Sequence, residues 1–390
     1  MKIAFLFMSG PKGFGGHHIS THELMNRIRE KGHQCVLISI GSVPSKVFLG
    51  DKQTYNFSIS ALDYMGRKSL CRFIQANKFD VYFPMDETSC RILCSLYPKA
   101  LSRMIPVKPG WKNVSSWINL TSDFICFTKE NVDYMRHLKK YERVNVHLIP
   151  NRVSKVLPNH EKINRFKERY NIKDNEKILF SVSRIDPDKT AVFYTSIKLS
   201  EKLNENGVAN RLFIIGSVSS EKTLTELSER CGTNYTIVTD NTFTNNVSSL
   251  FFMAYIIVCM GRTAMESMSL GIPTFIPYRN NELPILAIDS TFESMLAFNF
   301  TYRSEFSENQ VKNNEFMVRN IESCYSDIVS MSDKLFMENL DVEKGINKYI
   351  EIAEIQQYNK CNKINEFRAC IYSNIRWIGC CLISKIKRLL

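Results

Sequence analysis

Short apolar runs alternate with segments of helical period along this chain, and the alternation starts twice. Residues 2–8 (Lys-Ile-Ala-Phe-Leu-Phe-Met) have the length and apolar density of a buried strand. A glycine-containing stretch follows, then a helical segment from Ser20 to Lys31 ended by Gly32-His33, then a second strand from Gln34 to Ile40. Strand, loop, helix, strand in that order favours a parallel sheet. Apolar runs at 79–84, 124–128 and 145–150 continue the series, with a helix from Lys129 to Tyr141 between the last two. After Asn151 the pattern begins again. A helix from Ile163 to Tyr170 precedes a strand at 177–183, a helix spans 191–206, and strands follow at 211–216, 235–238, 255–259 and 273–277. A helix from Thr263 to Leu270 separates the last two. At 390 residues the chain exceeds what one core supports. The expected fold class is therefore α/β: two doubly wound, Rossmann-like domains, 1–152 and 153–340, whose strand ends face a cleft, and a tail at 341–390.

Charge is uneven. Residues 1–155 hold 23 basic and 11 acidic side chains, residues 156–360 hold 22 and 27, and residues 361–390 hold 6 and 1. The whole carries +12. Its positive charge is dispersed over a domain rather than gathered in a recognition helix, which disfavours nucleic acid as the partner. Twelve cysteines lie without metal-ligand or disulfide spacing and read as reduced, small hydrophobes. Ile3 to Met8 reads as a first strand rather than a secretory signal, and the longest apolar run, Leu250 to Met260, is too short to span a bilayer. A cytoplasmic protein is expected.

Three segments could carry chemistry. Gly13-Phe-Gly15-Gly16-His17-His18 lets backbone approach a ligand ahead of a helix N-terminus; it is neither a Walker A loop nor a dinucleotide fingerprint. Arg184 and Lys189 flank a turn after a strand, where a planar guanidinium and a mobile ammonium can clamp a diphosphate; Asp186 and Asp188 between them could equally neutralise both in a solvated loop. Cys259-Met-Gly261-Arg262-Thr263-Ala264-Met-Glu266 ends a strand, turns at a glycine and opens a helix with Glu266 one turn in. A carboxylate there can accept from paired ribose hydroxyls, or simply sit favourably near a helix N-terminus.

In this order the three segments resemble the GT-B glycosyltransferases, in particular the retaining family-4 group of bacterial surface polysaccharide synthesis. The resemblance rests on Gly15-Gly16, Ile149-Pro150-Asn151, Arg184 with Lys189, and Glu266-Ser-Met-Ser-Leu-Gly271-Ile-Pro273, and covers residues 1–290. It implies that Arg184 and Lys189 hold the donor diphosphate as the catalytic cations. Glu266 would hold the ribose, and the backbone of Gly261, Arg262, Thr263 and Ala264, together with Gly216, would line the donor. Gly15, Gly16 and His18 would lie on the acceptor side. It also implies a C-terminal helix, from 341 to 358, that crosses back to the first domain. No metal or cofactor is implied: fixed cations stabilise the leaving diphosphate, and its oxygen helps deprotonate the acceptor on the same face. The group has two glutamates eight positions apart, and the first falls on Val258 here. If transfer inverts instead, His18, Asp86 and Glu87 are possible bases, or a loop histidine and surface caps.

The tail, Phe367 to Leu390, interleaves Ile, Leu and Trp377 with Arg368, Arg376, Lys385, Lys387 and Arg388. It can lie on anionic lipid or pack on the protein's own surface. Lys99, Arg103, Lys108, Trp111, Lys112 and Trp117 form a second basic-aromatic stretch, flanking an acceptor or membrane or forming a solvated loop. The expectation is a transferase moving a sugar from a nucleotide-diphosphate donor to a lipid-linked glycan, in O-antigen or capsule synthesis, peripheral on the inner face of the membrane through its tail. The alternatives are a GT-B nucleotide-sugar epimerase and a non-catalytic membrane-binding module.

Overall fold

The computed structural model describes residues 1–9, 16–43, 45–59, 63–110, 120–231, 235–278, 283–356 and 363–389. The chain forms two compact units: residues 1–151 with 345–390, and residues 152–344.

The first unit begins with β1 (Lys2–Met8), α1 (Gly16–Glu30), β2 (Gln34–Ile40), β3 (Thr54–Phe57), α2 (Tyr64–Asn77), β4 (Val81–Pro84) and α3 (Glu87–Leu96). These strands make a parallel sheet in the order β3-β2-β1-β4. Ile3 to Phe7 are all buried, which is why β1 reads as an unbroken apolar run instead of an alternating one. β5 (Val107–Lys108), β6 (Asp123–Cys126), α4 (Lys129–Arg136) and β7 (Asn145–Leu148) follow, with β5-β6-β7 forming a second parallel sheet. The helix expected to reach Tyr141 closes earlier. His137 Nδ1 lies 2.6 Å from the Asp133 carbonyl, a side-chain bond that competes with the next helical turn. Leu138 is extended, and a 3₁₀ turn covers Lys139–Tyr141.

The second unit contains α5 (His160–Tyr170), β8 (Ile178–Val182), α6 (Thr190–Glu205), β9 (Arg211–Ile215), α7 (Glu221–Cys231), β10 (Thr236–Val238), α8 (Asn241–Thr244) and β11 (Ile256–Cys259). It continues with α9 (Arg262–Met268), β12 (Thr274–Ile276), β13 (Ile285–Leu286), α10 (Asp289–Ala297), α11 (Glu308–Arg319) and α12 (Tyr325–Leu335). Its sheet runs β10-β9-β8-β11-β12-β13, parallel except for β13. Alternate residues of β8 enter different cores. Ile178, Phe180 and Val182 join Phe166 and Phe213, whereas Leu179 joins Phe193 and Leu212 on the other face. The segments that enter and leave the unit pair with each other, Val153 N–H donating to Leu340 O (2.9 Å) and Val342 N–H to Val153 O (3.1 Å).

Two helices complete the first unit. α13 (Glu343–Gln356) sets Tyr349 against Phe83, ring centroids 5.7 Å apart, and Gln356 Nε2 donates to Ser102 O at 2.9 Å. α14 (Lys363–Leu389) packs against α3, burying Ala369, Ser373 and Trp377. One face of the tail is docked on the protein's own surface, and Ile364, Phe367, Ile371, Ile375 and Ile378 are exposed on the other. Among the described residues no helix is long and apolar enough to cross a membrane.

Candidate active site

In the second unit the chain builds β9 and β10 to one side of β8, then returns to place β11, β12 and β13 on the other. The direction of winding reverses between β8 and β11, and ligands of open α/β sheets bind beyond the carboxyl ends of the strands at such a reversal. The register aligns Val182 with Ile215 and with Cys259. The loops that open at Ser183, Gly216 and Met260 therefore leave the same end of three adjacent strands. The first loop carries Arg184 and Lys189, the second opens at Gly216, and the third turns at Gly261 into α9, which opens with Arg262 and Thr263.

Two of the glycines are dictated by geometry. A Cβ on Gly216 would stand 1.9 Å from the Ser183 carbonyl oxygen, so only glycine lets the two strand ends converge. Gly261 adopts φ 61°, ψ −132°, a region that other residues avoid. Its N–H donates to Phe300 O at 2.8 Å, tying the turn to the end of α10.

Both cations of the β8 loop are held by acids. Arg184 Nε lies 3.4 Å from Asp186 Oδ2, and Lys189 Nζ lies 3.1 Å from Asp188 Oδ2. Burial alone would raise the Asp188 carboxyl, but contacts with Asp186, Lys189 and Arg184 outweigh it and hold it below the ordinary carboxylate range. The Asp-x-Asp spacing thus keeps two cations in place on a half-exposed loop. Glu266 Oε1 accepts from Arg262 Nε at 2.7 Å, both side chains being largely covered. Ala264 is buried and its N–H donates to Gly261 O at 3.1 Å, so that amide is engaged inside the turn; Thr263 is half-buried on the first turn of α9. Val258 is wholly buried inside β11, with only Met260 and Gly261 between that strand and α9. The first acidic position of the resembled group therefore falls on a buried residue within a strand.

In the first unit the sheet order reverses between β1 and β4. Gly15 lies outside the described residues, and Gly16 opens α1. His18 is buried with Nδ1 2.9 Å from Ser45 Oγ and its ring edge-on to Phe7 at 4.0 Å. Burial, with the neighbouring His17, lowers its pKa to about 3; burial lowers that of His17 to about 4. Both imidazoles are neutral at neutral pH.

The carboxylates considered as bases are occupied. Asp86 accepts from Met8 N–H at 2.7 Å and Ser89 N–H at 2.8 Å, capping α3 and tying it to β1, and Glu87 pairs with Arg91. Asp86 is half-buried as the N-cap of α3, the capping role that was the alternative to a base, and burial raises its pKa. Of the basic-aromatic stretch, Trp111, Lys112 and Trp117 lie outside the described residues. Lys108 is a buried β5 residue whose Nζ donates to Gly110 O at 2.7 Å, so it is no part of a solvated loop. Among the described residues no group of three His, Cys, Asp or Glu side chains could hold a metal ion.

Sequence reasoning missed two features. The Arg262–Glu266 pair was legible from its i, i+4 spacing. Asn299 was not: it sits at φ 55° beside Gly261, and its Oδ1 is buried without a hydrogen-bond partner among the described residues.

The fold is that of the GT-B glycosyltransferases. Residues 162–278 match the family model described as Glycosyl transferases group 1, so the second unit carries a domain of that kind. A glycosyltransferase from Rickettsia africae ESF-5 superposes with a TM-score of 0.64 at 14% identity, covering 92% of this chain and 99% of its own. Anabaena Alr3699/HepE, solved in complex with UDP, gives 0.62 at 13% identity, over 91% and 100% of the two chains. WaaG, a glycosyltransferase involved in lipopolysaccharide biosynthesis, gives 0.52 at 13% identity, over 90% and 99%. No curated protein sequence matches the chain.

Proposed function

We propose that this enzyme transfers a sugar from a nucleoside-diphosphate donor, bound at the carboxyl ends of β8, β9 and β11, to a lipid-linked glycan. The observation that carries the donor site is the reversal of winding between β8 and β11, with two acid-held cations in the first of its loops. Arg184 and Lys189 exchange Asp186 and Asp188 for the donor's phosphate oxygens. The two carboxylates then orient the cations instead of neutralising them. As the bond from sugar to phosphate breaks, negative charge grows on the leaving diphosphate, and cations already fixed beside it stabilise that charge without reorganising. Glu266 accepts from the ribose hydroxyls, Arg262 fixing the rotamer from which it does so. The backbone from Gly261 to Ala264 and Gly216 lines the donor, and Gly15, Gly16 and His18 lie on the acceptor side.

Transfer proceeds with retention and without a protein nucleophile: Asp86 and Glu87, which could serve as the base of an inverting reaction, are engaged in structural contacts, and a diphosphate oxygen takes the acceptor proton. No metal or other cofactor is required. The tail holds the enzyme on the inner face of the cell membrane, and the setting is O-antigen or capsule synthesis. The UDP in the Anabaena neighbour makes uridine nucleotides the first probes. A screen of nucleotide sugars against a lipid-linked acceptor pool, read by mass, tests the reading. A hexose-sized mass gain on an acceptor is expected, and nucleotide-sugar isomerisation without acceptor consumption would show an epimerase instead.

A further inference from the structure

α14 presents its hydrophobicity the wrong way round for a helix that merely packs on its own protein. The docked face offers Ala369, Ser373 and Trp377, at spacings of four. The opposite face carries Ile364, Phe367, Ile371, Ile375 and Ile378, at spacings of three and four, so the larger aliphatic stripe faces away from the protein. Phe367 and Ile375 are each 67% exposed.

Both flanks of the stripe are basic. On one side Arg376 lies over the Tyr372 ring at 5.6 Å, and its charge, after burial, contributes to lowering the pKa of Lys140. On the other side Asn374 Oδ1 accepts from Ser95 Oγ at 2.6 Å and from Arg67 Nη2 at 3.1 Å, and the Arg67 guanidinium stacks over Trp377 at 5.0 Å. There, between α2 and α3, an open cavity of about 720 Å³ is lined by Tyr64, Arg67, Lys68, Cys71, Arg72 and Leu96, among others. Lys68 and Arg72 are exposed, and neither has a carboxylate partner among the described residues. Tyr64 and Met65, at 69% and 71% exposure, extend the apolar surface along α2.

We infer that the groove between α2 and α3 binds the phosphate of an anionic phospholipid while the exposed stripe of α14 enters the same bilayer. A phosphate carried on an apolar body matches three cations set beside apolar walls, and the adjoining stripe supplies the surface that acyl chains cover. Arg67 is held by Asn374 and Trp377, so the cationic side of the groove is pre-formed by the docking of α14. Lys68 and Arg72 supply the mobile charges. The inference rests on the membrane-peripheral reading and adds to it a headgroup site outside the tail.

Vesicle flotation of the full chain tests it, with phosphatidylcholine alone and with an equal mixture of phosphatidylcholine and phosphatidylglycerol. The wild type is expected to float with the mixture only. Lys68→Gln with Arg72→Gln should lower the partition coefficient about thirtyfold, each lost charge near the surface contributing a factor of about five. Both residues are exposed, so the variant should melt as the wild type does and keep its stabilisation by UDP. Phe367→Ser with Ile371→Ser should abolish flotation. If the groove variant partitions like the wild type while the wild type needs phosphatidylglycerol, the groove is overturned and the membrane reading stands. Flotation of the wild type with neither vesicle overturns both. A wild-type dimer that Phe367→Ser with Ile371→Ser converts to monomer would assign the stripe to a second copy of the chain and also overturn the inference.

Discussion

Replacing Gly216 by alanine tests whether the donor loops converge as described. The added methyl carbon would stand 1.9 Å from the Ser183 carbonyl oxygen, and a tolerable contact begins near 3.0 Å, so the loops must separate by at least 1.1 Å. That oxygen belongs to backbone, and no rotamer relieves the clash. The ends of β8 and β9 are joined there by Ser183 N–H to Ile215 O at 3.2 Å and Ile185 N–H to Ser217 O at 2.9 Å; a displacement of this size breaks at least the first. Overpacking costs about 1–3 kcal/mol and a lost backbone bond about 1 kcal/mol, together roughly 2–4 kcal/mol. For a unit of this size that lowers the melting temperature by roughly 5–15 °C. Because Arg184 rides on the displaced loop, stabilisation by UDP should fall as well. Gly207→Ala is the control. Its φ of 84° is strained for alanine, but no atom lies within 4 Å, so it should cost only roughly 1–2 kcal/mol and leave nucleotide binding alone. Scanning calorimetry with and without UDP reads both variants. A Gly216→Ala protein melting within roughly 2 °C of the wild type, with an undiminished UDP shift, would refute the reasoning.

Two further outcomes are expected. Val258→Glu, which restores an acid at the position the resembled group uses, buries a carboxylate inside β11 and should destabilise the second unit by roughly 3 kcal/mol or more, read as lost soluble yield or melting temperature; a soluble variant with wild-type melting would contradict the strand placement. Burial followed by His17 holds the folded-state pKa of His18 down to about 3, below the ordinary 6.5, so between those values the unfolded chain binds a proton that the folded chain refuses. Stability from this group is therefore full above pH 6.5 and declines as the pH falls towards about 3. Denaturant unfolding of His18→Gln should lose up to about 1 kcal/mol of the acid-side decline between about pH 7.5 and about pH 5.5, and an unchanged slope would count against it.

Much of this architecture is legible in the residues because the relevant physics is local. β1 and β2 end where their apolar runs end, and the loops after β8 and β11 announce themselves by a turn at the close of a buried strand. What escaped depends on distant partners. The capping of α3 by Asp86 was legible, but nothing nearby shows that Met8 also donates to it across the sheet. Lys108 looked solvated because its burial comes from parallel pairing with Cys126 of β6. In α14 the periodicity was visible, but the larger aliphatic stripe is not the docked one. Small Ala369 and Ser373 allow close approach to α3, a preference set by its partner. Asn299 reaches the donor loops only through the end of α10, a contact that no spacing in the sequence encodes.

The central claim is that Arg184 and Lys189 bind the donor diphosphate. Titration calorimetry of UDP and GDP into the wild type, Arg184→Ala and Lys189→Ala addresses it directly. Each variant should lose a charge-assisted contact and bind the preferred nucleotide at least about tenfold more weakly, with its melting temperature in the absence of nucleotide little changed. Equal affinity in all three proteins, or no nucleoside diphosphate bound by the wild type, would contradict the account.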